Sequence, residues 1–67
     1  MNIRTEFTEP ECEWFRRVCN FTPDERKVFD LRVKDHSIIE IAMDLDMSES
    51  TVNRRIRGIK RKIHKVL

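Results

Sequence analysis

The chain has 67 residues, 39% hydrophobic and 39% charged, with one Gly and two Pro, which allows one small domain and excludes a low-complexity, collagen-like or linker sequence. No stretch reaches the roughly 18 to 20 apolar residues of a membrane helix, and Met1-Asn2-Ile3-Arg4-Thr5-Glu6 has no apolar signal core, so a cytoplasmic protein without a membrane partner is expected. The net charge of +2 conceals an asymmetry: residues 50–67 carry seven bases and no acid, while residues 1–49 carry seven bases and all twelve acids.

In chain order, residues 1–7 read as flexible. Thr8-Glu9-Pro10-Glu11 then has the form of a capping box with Pro in the first turn, opening a helix within residues 8–20. Phe15, Val18 and Cys19 are expected to face a core, with Cys12 and Trp14 flanking them. Cys12 and Cys19 lie about 10 Å apart along such a helix, too far for a disulfide, and no Cys-x-x-Cys or His pair indicates zinc. They read as small buried thiols. This N-terminal helix, with Trp14 and Phe15, has two readings: it packs over the bundle and completes its core, or Trp14 anchors a partner such as another copy or RNA polymerase.

A second box, Thr22-Pro23-Asp24-Glu25, opens a helix with apolar Val28, Phe29, Leu31 and Val33, ending near Lys34 or Asp35. A third, Ser37-Ile38-Ile39-Glu40, opens a short helix with Ile38, Ile41, Ala42 and Leu45 on one face, interrupted at Asp46-Met47-Ser48. His36 before it reads as a partly buried or exposed residue with no catalytic or ligand role. Ser48 caps a fourth helix whose Val52, Ile56, Ile59 and Ile63 form a stripe at spacings of four, three and four. Gly58, inside that helix, costs about 1 kcal/mol relative to Ala and marks a bend, a close helix contact or fraying.

The resulting expectation is an all-α fold: a small four-helix bundle containing a helix-turn-helix, with an extra N-terminal helix, residues 1–67 forming one domain. The third and fourth helices carry the functional signal. A short helix, a tight turn and a second helix with a narrow apolar stripe and a basic outer face suit entry into a DNA groove about 12 Å wide. Lys and Arg massed on one segment displace counterions from a phosphate backbone, so double-stranded DNA is the expected partner. No Ser-His-Asp, Cys-His, paired-carboxylate or Gly-rich phosphate constellation is present, so neither an enzyme nor a cofactor or metal site is expected.

Phe21-Thr22-Pro23-Asp24-Glu25, Val28-Phe29-Asp30-Leu31, Ser37-Ile38-Ile39-Glu40-Ile41-Ala42 with Leu45, Ser48-Glu49-Ser50-Thr51-Val52, and Ile59 through Ile63 together resemble the DNA-binding domain of LuxR/GerE-type transcription regulators. They also resemble region 4 of bacterial sigma factors, a helix-turn-helix of the same plan. The resemblance covers residues 21 to about 65 and implies a DNA-binding unit over residues 21–67, with its helix-turn-helix from Ser37 to about Arg57. It implies base-reading contacts from Asn53, Arg54 and Arg57, joined by Ser50 in the sigma-like register. Arg and Asn suit that role because they bond guanine and adenine edges bidentately. Thr51, Arg55, Lys60 and Arg61 are expected to meet phosphates.

The resemblance implies transcription regulation by a small bacterial or phage regulator, with RNA polymerase or another protein as a further partner. A sigma-like or adaptor module acting mainly through such a partner is the alternative. A homodimer is a further expectation, because one module this small makes few contacts; the LuxR/GerE regulators often dimerise through a later helix that has no counterpart before Leu67. Asp35 stands where that family usually has a turning Gly, and His36 where it usually has an apolar residue.

Overall fold

The computed structural model describes residues 7–67, and among these it has four helices: α1 Glu9–Val18, α2 Pro23–Val33, α3 Ile38–Leu45 and α4 Glu49–Val66. All four begin where the sequence supplies an acceptor for orphan backbone N–H groups. Thr8, Thr22 and Ser37 each accept from the backbone N–H three residues on, and Glu11, Glu25 and Glu40 return the bond to the cap's own N–H at 2.9 Å. Ser48 accepts from the Thr51 N–H at 3.1 Å and donates its hydroxyl to Thr51 Oγ1 at 2.9 Å.

Helix ends depend on the three described non-glycine residues with positive φ. Asn20, Asp35 and Asp46 have φ of 47°, 71° and 54°. Short polar side chains tolerate this left-handed region better than other non-glycine residues. At Asp46 the reversal lets the Met47 N–H return to Ala42 O at 2.9 Å, and at Asp35 it lets the His36 N–H return to Leu31 O at 3.1 Å. Asp35 thus performs the turn expected of a glycine, and Asp46 sets the tight turn between α3 and α4.

One apolar cluster joins all four helices: Cys12, Phe15 and Cys19 of α1 and its C-cap, Val28 and Phe29 of α2, Ile41 and Ala42 of α3, and Val52, Ile56, Ile59 and Ile63 of α4. The α4 stripe is thus buried as its spacing predicts. On α1 the expected face is rotated. Cys12 is core, whereas Val18 is 41% exposed and Trp14 45% exposed. With about 100° per residue, Val18 falls about 90° round from the mean direction of Cys12, Phe15 and Cys19. Leu31 and Val33 are half-buried, because the buried line of α2 runs through Glu25, Val28 and Phe29 instead.

Of the segment expected to be flexible, residues 1–6 lie outside the described residues. Phe7, its last member, meets Phe15 edge-on with centroids 4.8 Å apart. Arg16 ties α1 to α2 through a 2.7 Å ion pair with Asp30 and lies over the Phe29 ring at 5.4 Å. Both cysteines are free and buried, and burial raises their thiol pKa values, with Arg16 opposing the rise at Cys12 and Lys62 at Cys19. α1 therefore completes the core, as the first of the two readings of this helix required, while leaving the Trp14 edge in solvent.

Candidate nucleic-acid interface

The stripe Val52, Ile56, Ile59 and Ile63 fixes the rotation of α4, so the residues between them are sorted by angle alone. Ser50, Arg54, Arg57 and Arg61 are exposed on the side opposite the core, and Asn53 is exposed about a quarter turn from it. Ser50, Asn53, Arg57 and Lys60, at helical spacings of three and four, line an open groove of about 430 Å³ together with Ile56. Arg54 and Arg61 stand beside this row. Among the described residues, Arg54, Arg57, Lys60, Arg61 and Lys65 make no ion pair, so their charges are available to an anionic partner.

Two of the seven bases of this helix are committed elsewhere. Arg55 turns away from the groove, and its Nη2 lies 3.8 Å from Asp24 Oδ2 in the first turn of α2. Arg55 Nε is buried and has no hydrogen-bond partner. Lys62 donates to Glu25 Oε1 at 2.5 Å and to Asn20 O at 3.1 Å. Both lie on the flank of α4 that packs on α2, about 120° to 140° from Ser50 on a helical projection. Thr51 is half-buried, with its N–H and hydroxyl both engaged by Ser48. Glu49 occupies the first turn, so a carboxylate already sits at the positive end of α4.

Glu25 joins α2 to α4 through three contacts at one point, a role that its reading as a capping residue alone does not disclose. Its carboxylate closes the α2 cap, holds Lys62 and faces Gly58, where an added Cβ would lie 2.5 Å from Glu25 Oε2. Gly58 thus marks a close helix contact, one of the three options its position left open. Burial raises the Glu25 pKa, but hydrogen bonds from Lys62 and Thr22 outweigh it and hold the carboxyl below the ordinary carboxylate value. The consequence for the site is orientation: this bridge and the Arg55–Asp24 pair fix α4 against α2 while its other side stays open.

His36 is half-buried between α2 and α3, with Nδ1 3.8 Å from Asp44 Oδ2 and lacking a hydrogen-bond partner. It lies apart from the α4 face. Glu40, the α3 capping residue, has its pKa lowered first by the Ser37 backbone N–H and then by the Ser37 hydroxyl. Among the described residues, no group of His, Cys, Asp and Glu could hold a metal ion, and no helix is long and apolar enough to cross a membrane.

Comparison with known proteins bears on this geometry. No curated protein and no solved structure matches the chain. The family model described as Sigma-70, region 4 matches residues 20–63, a span that includes α2, α3 and nearly all of α4 and leaves α1 outside. Of the two families the sequence resembles, this is the sigma-factor one, a family of helix-turn-helix DNA-binding domains rather than of enzymes. With a matched span of that extent and a fold that places a tight α3–α4 turn under an open basic helix, the chain belongs to the sigma-70 region 4 family.

Proposed function

We propose that the protein reads double-stranded DNA sequence-specifically in transcription, docking the first turns of α4 in the major groove. Ser50, Asn53, Arg54 and Arg57 are assigned to base edges, and Thr51, Lys60 and Arg61 to the flanking phosphates. Arg55, which its residue type alone fits to phosphates, is reassigned to bracing α4 on α2 through Asp24. The observation that carries this reading is the unpaired face of α4, where an Asn and two Arg project beside the open groove lined by Ser50, Asn53, Arg57 and Lys60. Residues 21–67 form the DNA-binding unit and α1 a helix added to it. The cytoplasm, where bacterial or phage DNA is transcribed, is the corresponding compartment.

A single module of this size makes few contacts, so tight binding requires either a homodimer on paired half-sites, as in a LuxR-type regulator, or a protein partner such as RNA polymerase, as in a sigma-like module. Selection from a random duplex pool at two salt concentrations tests the reading and separates these modes. A palindromic enriched motif identifies the dimer, and an unpaired motif identifies the partner-dependent mode. Affinity falls steeply with salt if phosphates supply the binding energy. Arg54→Ala and Arg57→Ala should each cost about 1 to 3 kcal/mol on the selected site and little on random DNA. No enrichment at low salt, with retained binding to polymerase after reversal of both charges, would assign the module to protein contacts instead.

A further inference from the structure

We infer that the outer face of α3 is a second interaction surface, which takes a helical protein segment with apolar anchors flanked by lysines or arginines. Ile39 and Met43, one turn apart, are 59% and 76% exposed, more than the solvent-facing Trp14 and Val18 of α1. With Ala42 and half-buried Met47 they border an open groove of about 380 Å³ whose rim is formed by Asp46, Ser48 and Glu49. α3 has already buried its other side through Ile41 and Ala42, so Ile39 and Met43 are not needed by the core. Two large apolar side chains kept in water on an eight-residue helix form the kind of patch that marks a binding surface, and the flexible thioether of Met adapts to the shape of an anchor.

The charge around this patch selects the occupant. Between residues 37 and 50 the chain carries Glu40, Asp44, Asp46 and Glu49 and no lysine or arginine. Of these, Asp46 and Glu49 border the groove itself, so the patch favours a cationic partner over phosphates. A partner helix would seat its anchors at one-turn spacing over Ile39 and Met43, and its bases would meet the acids. The groove is lined by Ser48 and Glu49 at the start of α4 and by none of Asn53, Arg54 and Arg57.

Amide and methyl NMR of the full chain, titrated with three synthetic helical peptides, tests the inference. The first peptide has leucines on one face and lysines elsewhere, the second replaces its lysines with glutamates, and the third replaces its leucines with serines. The inference requires the first peptide alone to perturb Ile39, Met43 and Met47, and Ile39→Ser or Met43→Ser to weaken it by about tenfold or more. DNA affinity is measured in parallel and stays unchanged in both variants, so loss of the peptide site is distinguishable from failure of the DNA reading. Equal binding of the glutamate or serine peptide, shifts confined to other helices, or an unaffected Met43→Ser variant would overturn it.

Discussion

Replacing Gly58 with Ala separates helix propensity from packing in the helix that carries the proposed DNA contacts. Propensity alone predicts stabilisation by about 1 kcal/mol, because an interior glycine loses more backbone freedom on folding than alanine. The structure reverses the sign. An alanine Cβ would lie 2.5 Å from Glu25 Oε2, and that carboxylate is held by its other oxygen to the Thr22 N–H at 2.9 Å and to Lys62 at 2.5 Å. To clear the methyl group the carboxylate must rotate, weakening a charge-assisted bond of about 1.5 to 3 kcal/mol and part of a cap worth about 1 kcal/mol. Set against the propensity gain, the net loss is about 1 to 2 kcal/mol, which lowers the midpoint by roughly 5 to 15 °C in a domain of this size.

Far-UV circular dichroism during thermal and urea unfolding measures this loss. The control is the same substitution in a Glu25→Ala background, where the obstruction is gone and Gly58→Ala should stabilise by about 1 kcal/mol. The coupling between the two positions is therefore the quantity that reports the contact. Equal effects of Gly58→Ala in both backgrounds would show that the Glu25 carboxylate does not obstruct a side chain at this position.

Acid should destabilise the fold through Glu25 and Glu40, whose native pKa values are lowered. The stability they contribute is complete above the unfolded carboxylate value of about 4.3 and is lost as pH falls through the native values. Urea midpoints against pH, with Glu25→Gln flattening the acid limb, check the sign. Ile59→Ala, at a fully buried position in the α4 stripe, should cost about 2 to 5 kcal/mol, much of the stability available to so short a chain, and a cooperative transition at the unaltered midpoint would contradict the packing. Cys12 and Cys19 should react with a thiol reagent only as fast as the chain opens, because both are buried with raised pKa values. Rapid labelling of both under native conditions would contradict their placement. Trp14→Ala, at a half-exposed site, should change stability by no more than about 1 kcal/mol, read from the same urea curves.

Local chemistry made most of the fold legible in the residues. Thr8, Thr22, Ser37 and Ser48 announce the helix starts because each cap acts within three residues of itself, and Val52, Ile56, Ile59 and Ile63 announce the buried side of α4 because a helix repeats every 3.6 residues. The charge division near residue 49 is a matter of composition, and the outward row of Ser50, Asn53, Arg54 and Arg57 follows from the same periodicity. What needed tertiary structure was the orientation of each helix about its neighbours. Val18 looks like core by composition, yet α1 presents Cys12 instead, since Phe15 and Cys19 set which arc meets α2.

The division of the basic residues of α4 has the same origin. Arg54 and Arg55 are adjacent and chemically identical, but one position of helical rotation, about 100°, turns the second toward Asp24 and leaves the first free. Glu25 and Lys62 are 37 residues apart, so no local pattern joins them or explains Gly58 between them. Helix starts and the apolar stripe are legible in the residues because they depend on neighbours within a turn, and the basic end of the chain because it is a matter of composition. Only the packing of α2 on α4 decided which bases remain open to a partner, because an ion pair depends on distance in space rather than along the chain.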